Sequence, residues 1–155
     1  MDIVLKDMNS TDYETFLESA INDYAANQVQ NKTWIAKESI EKANQAFARL
    51  LTEGAKTKGQ HFKNIEHRET KVGSVWFEER HPNGDKVLFI NYLYISPANR
   101  KQGLAAKTIA ALKNLAKSEQ AQRIELHVFG FNTDAISLYL KNGFQTTNIV
   151  MRLEL

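Results

Sequence analysis

Two spacings of apolar residues alternate along this chain. Tyr13, Phe16, Leu17, Ala20, Ile21 and Tyr24 fall at i, i+3, i+4, i+7, i+8 and i+11, which is one face of a helix. Thr11 followed by Glu14 matches a capping box and predicts the start of that helix. The polar stretch 28–32 interrupts it. Ala36, Ile40, Ala43, Phe47, Leu50 and Leu51 then predict a second helix, with Gly54 closing it. A basic loop covers 55–60.

The spacing next shortens toward two. Residues 2–6, holding Ile3, Val4 and Leu5, form a first strand candidate, and 61–68 a second. The stretch 70–79 is richer, with Val72, Val75, Trp76 and Phe77. His81-Pro82-Asn83-Gly84-Asp85 is a turn by composition, and Asn-Gly is a strong hairpin signal. The β-branched and aromatic run 86–95 returns antiparallel. Pro97 lacks a backbone N–H and ends the ladder.

Helical spacing resumes at Leu104, Thr108, Ala111, Leu112 and Leu115. Residues 123–129 alternate at Ile124, Leu126 and Val128. Asn132-Thr133-Asp134 caps a last helix running to about Asn142, with Gly143 behind it. From Phe144 onward Ile149, Met151, Leu153 and Leu155 alternate as a final strand. The order is β-α-α-β-β-β-α-β-α-β(β), an α/β (α+β) chain. Its strand-helix-strand segment implies a parallel pair joined by a right-handed crossover. Residues 1–155 are expected to make one domain.

Composition narrows the possibilities. The chain is 43% hydrophobic and 25% charged, with a net charge of +2, too small to argue for nucleic acid. It has no cysteine. That removes disulfides, thiolate metal sites and a cysteine nucleophile, and fits a reducing interior. No signal-peptide pattern or membrane-spanning run is present, so a cytoplasmic protein without membrane contact is expected. His61 and His67 would lie about 20 Å apart on an extended strand, too far to share a metal, so no metal site is expected. Ser74 lacks a nucleophile elbow.

Charge is distributed unevenly. From Lys86 to Ser118 there is no Asp or Glu, while Lys86, Arg100, Lys101, Lys107, Lys113 and Lys117 lie in that span. Arg100-Lys101-Gln102-Gly103 sits between a strand and a helix. Amides at a helix N-terminus have no partners within the helix, and the dipole there is positive. A phosphate group suits that position.

The loop Arg100-Lys101-Gln102-Gly103-Leu104-Ala105 resembles the pyrophosphate motif of the GCN5-related N-acetyltransferase (GNAT) superfamily, Arg/Gln-x-x-Gly-x-Gly/Ala. Leu126-His127-Val128-Phe129, Asn132, Ala135, Leu138-Tyr139 and Gly143-Phe144 are similar to the family's C-terminal segment. The element order is also similar over nearly the whole chain. The resemblance implies a mixed, mostly antiparallel sheet of six to seven strands, flanked by about four helices. A central parallel pair would be splayed to admit acetyl-CoA as co-substrate.

The resemblance also implies roles for particular residues. A β-bulge in the fourth strand would free the main chains of Leu93 and Ile95 to pair with the pantetheine arm. The N–H of Leu93 would stabilise the oxyanion. Arg100 and the backbone from Lys101 through Gln102, Gly103 and Leu104 to Ala105 would hold the pyrophosphate. Asn132 would contact the pantetheine; it reads equally as a helix N-cap. Tyr139 would protonate the leaving thiolate; spacing alone reads it as a core aromatic.

The family's usual glutamate base is replaced by Asn91. Glu78, Glu79 or a water chain are the substitutes on offer. The expected activity is acetyl transfer to a primary amine, on a small molecule or a peptide, by direct attack in a ternary complex. A non-catalytic acyl-CoA-binding or regulatory module is the alternative. The protein would be a monomer or homodimer. Tyr24, Gln28, Trp34 and Trp76 are candidates to line the acceptor side.

Overall fold

The computed structural model describes residues 3–155. Strand β1 (Ile3–Asp7) is followed by helices α1 (Ser10–Gln30) and α2 (Ala36–Leu50). Strands β2 (Gln60–His67), β3 (Thr70–Arg80) and β4 (Val87–Ile95) form a meander, then α3 (Leu104–Ser118) crosses to β5 (Arg123–Leu126). Helix α4 (Thr133–Lys141) follows. The sheet runs in chain order, β1-β2-β3-β4-β5, antiparallel except for the β4–β5 pair. The expected start of the first strand at Asp2 lies outside the described residues.

The sheet has a core on each face. Val75, Phe77, Leu88 and Ile90 pack with Leu104 and Leu112 of α3. On the other face Phe62 and Trp76 meet Tyr13, Phe16 and Ala20 of α1, with Phe47 of α2. Edge-to-face contacts such as Tyr13–Phe62 (4.9 Å) order that aromatic layer. Because both faces are covered, β3 is buried from Val72 to Glu78, as strands with two covered faces are. Gly73 is required there: a Cβ would stand 2.0 Å from the Tyr94 carbonyl oxygen. In the β3–β4 turn Asn83 (φ 52°) and Gly84 (φ 84°) both take positive φ, the conformation that Asn-Gly favours.

Several expectations change. Helix α1 is capped by Asn9, not Thr11. The Asn9 side chain accepts from the Asp12 N–H (2.8 Å) and Asp12 returns the contact to the Asn9 N–H (3.4 Å). Asp12 also accepts from Asn64 on β2 (2.9 Å), a tertiary contact that favours this box. Helix α2 buries Ser39, Ala43 and Phe47, in line with Leu51, and turns Ile40 and Leu50 outward. Ser39 tolerates burial because its hydroxyl donates to the Ala36 carbonyl (2.9 Å).

The largest change is at the C-terminus. Five strands form rather than six to seven, and the parallel pair lies at the sheet edge rather than its centre. Strand β5 stops at Leu126 instead of 129. Residues 144–155 form no strand, because no strand of the described chain pairs with them.

Candidate active site

The β4–β5 pairing is short. It joins Val87–Ile90 to Arg123–Leu126 and ends there. At the same level the β3–β4 register slips: Phe77 pairs with Ile90 and Trp76 with Tyr92, leaving Asn91 as an extra residue. This is a β-bulge, which bends its strand and disrupts local pairing. Beyond it β4 keeps β3 on one side while β5 is no longer its partner on the other.

The alternation of an antiparallel ladder shows which backbone groups face the opening. The Ser96 N–H donates to the Val72 carbonyl (2.8 Å). Successive residues alternate in this respect, so Tyr94 and Tyr92 face β3, and the N–H and C=O of Leu93 and Ile95 point to the other edge. One of these groups has a partner: the Ile95 carbonyl accepts from Nε of Arg100 (2.8 Å). Arg100 also lies over the Tyr94 ring (5.3 Å). It therefore braces the end of β4, with its exposed guanidinium beside the loop.

The loop itself has the backbone an anion needs. Lys101 (φ 61°) and Gly103 (φ 74°) are both left-handed, and Gly103 occupies the N-cap position of α3 without a side-chain cap. The conformation calls for glycine. Apart from its own chain neighbours, nothing lies within 4 Å of where a Gly103 Cβ would be, so the space beside it is open. The first amides of α3, including Leu104 and Ala105, lack intrahelical acceptors. Lys101 and Gln102 are exposed beside them. Leu104 buries its side chain in the core and anchors the helix start. A pyrophosphate fits this donor set.

Asn132 and Tyr139 stand on a separate element, α4. Asn132 caps it, accepting from the Ala135 N–H through Oδ1 (3.3 Å), which leaves its amide donors available. Tyr139 is half-buried, and burial raises its phenol pKa. Its ring meets Phe144 edge-on (5.4 Å). Besides β5, Lys113 of α3 ties this region to the body, donating to the Asn142 carbonyl (2.8 Å).

On the α1–α2 face the bulge organises a second set of groups. Glu78 is the one buried carboxylate among the described residues. It accepts from Asn91 Nδ2 (3.0 Å), Arg80 Nη2 (2.9 Å) and Gln60 Nε2 (3.1 Å). Burial pushes its pKa up, but these hydrogen bonds and the Arg80 charge outweigh that and hold it below the ordinary value. Glu78 is thus ionised at neutral pH and directly bonded to the residue at the bulge. Glu79 is half-exposed beside His61 (3.4 Å) and His81 (3.8 Å).

Trp76 belongs to the core, its Nε1 donating to Gln60 (2.6 Å). Tyr24 and Trp34 meet edge-on (5.4 Å) beside the α1–α2 turn, where the Gln28 carbonyl accepts from the Thr33 and Trp34 N–H groups. A pair that the sequence did not reveal is Tyr92 and Asp23. The Tyr92 hydroxyl donates to Asp23 (2.5 Å), and burial followed by this carboxylate raises its pKa strongly. It lines a cleft of about 490 Å³ between α1 and the ends of β3 and β4, with Ser19, Lys71, Ser74 and Tyr94. Asp23 lies on the polar side of α1, where periodicity carries no signal for such a pair.

A strand edge opened by a bulge thus leads into a helix start whose first amides have no partner within the helix. Residues 16–144 match the model of the acetyltransferase (GNAT) family, and the chain belongs to that family. It is 32% identical to the uncharacterized N-acetyltransferase YdgE of Bacillus subtilis over 100% of this chain and 99% of the relative. The crystal structure of the putative acetyltransferase YycN from Bacillus subtilis superposes with a TM-score of 0.94 at 29% identity, covering 99% of this chain and 98% of that one. A more distant fold match is an aminoglycoside N-acetyltransferase in complex with CoA, with TM-score 0.58 and 17% identity, over 99% of this chain and 94% of that one.

Proposed function

We propose that this protein transfers an acetyl group from acetyl-CoA to a primary amine by direct attack within a ternary complex. The observation that carries this reading is the β4 edge at Leu93 and Ile95, opened at the Asn91 bulge and continuous with the free amides at the start of α3. Acetyl-CoA supplies the thioester. Along the opened edge, Leu93 and the Ile95 N–H would receive pantetheine amides as a sheet receives an added strand. The amides from Lys101 to Ala105 would take the pyrophosphate, and the Asn132 amide donors would meet the pantetheine.

The chemistry divides among three groups. The Leu93 N–H donates to the thioester oxygen as charge builds on it. The attacking amine must first lose a proton. Glu78, ionised and linked to Asn91, takes that proton through water in place of the missing acid on β4. A C–N bond forms as the C–S bond breaks. The leaving thiolate takes its proton from the Tyr139 hydroxyl, which burial keeps protonated at neutral pH and which solvent reprotonates. The absence of cysteine agrees with direct attack rather than an acyl-enzyme. The acceptor is a small-molecule or peptide amine rather than a nucleic acid. Among the described residues no helix is long and apolar enough to cross a membrane, and we assign the protein to the cytoplasm.

Thiol release from acetyl-CoA with a panel of amines tests the proposal. Glu78→Gln should lower kcat about 10²–10⁴-fold, with little change in CoA affinity. Turnover equal to wild type would remove Glu78 from the reaction. Tight CoA binding with no amine acetylated would favour a non-catalytic acyl-CoA-binding module.

A further inference from the structure

The cleft beneath α1 carries opposite charges at its two ends. It measures about 490 Å³, room for a small molecule. At one end the Asp23 carboxylate accepts from the Tyr92 hydroxyl and makes no ion pair among the described residues. A carboxylate keeps acceptor capacity beyond one such bond. At the other end stands Lys71, exposed at the start of β3. Its charge is felt by Asp12, which Asn9 and Asn64 already hold. Lys71 itself makes no ion pair among the described residues. Tyr92 pairs with Trp76 on β3, five residues on from Lys71, which is about 16 Å along an extended strand.

Between the two charges the lining is rich in hydroxyls, with Ser19 from α1, Ser74 from β3 and Tyr94 from β4. Ser74 is only 8% exposed, and its hydroxyl has no hydrogen-bond partner among the described residues. A buried hydroxyl ordinarily has one, and here the cleft is where a partner would sit. Tyr92 links the cleft to the reaction. It lies between Asn91 at the bulge and Leu93, whose N–H faces the opened edge. The Asp23 end is therefore the end beside that edge, and the Lys71 end is remote from it.

We infer that this cleft selects an acceptor with an amine at one end and a carboxylate at the other, Asp23 meeting the amine and Lys71 the carboxylate. The inference rests on the acetyl-transfer reading. The amine arrives protonated and is drawn to Asp23; its proton then leaves through water to Glu78. Tyr92 is a positioning residue, holding Asp23 in place through its hydroxyl. Three extended peptide residues reach about 10 Å, and the long stem of Lys71 spans the remainder. A short peptide with a free N-terminus has this form, and so does an ω-amino acid. A diamine of the same length would set a second cation against Lys71, with no acid there to receive it.

Thiol release measured with triglycine, triglycinamide, aminohexanoate and diaminohexane tests the inference. Triglycine should exceed its amide, and aminohexanoate the diamine, by about fivefold in kcat/KM. Whichever of the two acids is used better assigns the peptide or the ω-amino acid as the source. Lys71→Glu should reverse both preferences. Asp23→Asn should raise the KM for triglycine about tenfold with CoA affinity unchanged. Tyr92→Phe should raise it less and leave kcat near wild type. Equal use of acid and diamine by wild type overturns the inference, as do wild-type preferences in Lys71→Glu or an unchanged KM in Asp23→Asn. Calorimetry with triglycine on the CoA-loaded protein reads the cleft without turnover. Binding that Asp23→Asn weakens, with no amine acetylated, would support the cleft and count against the acetyl-transfer reading alone. Neither binding nor turnover of either acid overturns the inference.

Discussion

The body from β1 to α3 and the segment from β5 onward are built to different standards. Up to Ala116 the chain fills two cores, with Val75, Val87 and Ile109 fully enclosed; beyond Ala116 no described residue is buried. The candidate site draws on both. Leu93, Ile95, Glu78 and the loop 100–105 belong to the packed body, while Asn132 and Tyr139 belong to the open segment. Groups that hold a ligand in register benefit from rigidity. A helix that borders an opening can shift without disturbing the core, since few apolar contacts oppose its movement.

Substitutions matched across the two regions test this contrast. The largest stability effect is expected for Phe77→Ala, at about 3–5 kcal/mol, against under about 0.5 kcal/mol for Leu140→Ala at the exposed surface of α4. Urea unfolding of both gives the comparison, and equal losses would erase it. In catalysis the order should reverse: Tyr139→Phe should lower kcat by about 10²-fold while leaving the unfolding midpoint near wild type. Gly103→Ala should cost about 1–2 kcal/mol from its left-handed backbone and weaken CoA binding, measured by calorimetry, more than it changes kcat.

Glu78 and Tyr92 of the packed body should shape the pH dependence, and the raised phenol of Tyr139 adds to its alkaline side. The folded pKa of Glu78 is lowered, so its stabilisation is present above its unfolded value of about 4.3 and is lost as pH falls through the folded value. That of Tyr92 is raised, so its contribution is whole below about pH 10 and lost as pH rises beyond. Tyr92→Phe should therefore flatten the alkaline limb of a stability profile and leave the acid limb in place. A small effect is also expected for Lys113→Ala. Its exposed bond to the Asn142 carbonyl is worth about 1 kcal/mol or less.

Much of this was legible from residue order. The period of α1 and α3, the Asn-Gly turn and the loop before Leu104 all follow local rules. What escaped was decided by partners distant in sequence. Asn9-x-x-Asp12 and Thr11-x-x-Glu14 are both capping boxes, and Asn64 on β2 favours the first. Helix α2 offers Ile40 and Leu50 to an apolar stripe, yet the layer it meets selects Ser39, Ala43, Phe47 and Leu51. The alternation at 149–155 reads as a strand, yet no strand of the described chain pairs with it. Glu78 reads as one of two acids at a strand end; only the fold shows it enclosed by Gln60, Arg80 and Asn91.

The Asn91 bulge has a consequence for parity. In a regular strand odd and even residues serve opposite layers. Here Asn91 and Tyr92, adjacent in sequence, both address the α1–α2 layer, through Glu78 and Asp23, while Ile90 and Leu93 both serve the α3 layer. A single surplus residue thus exchanges the roles of odd and even positions for the remainder of β4. Removing it would leave every later side chain on its present layer, since Ile90, Tyr92 and Leu93 alternate without it, and would erase the bulge that interrupts the β3–β4 register. The crevice is written as a count, and point substitutions within β4 preserve it where a one-residue deletion cannot.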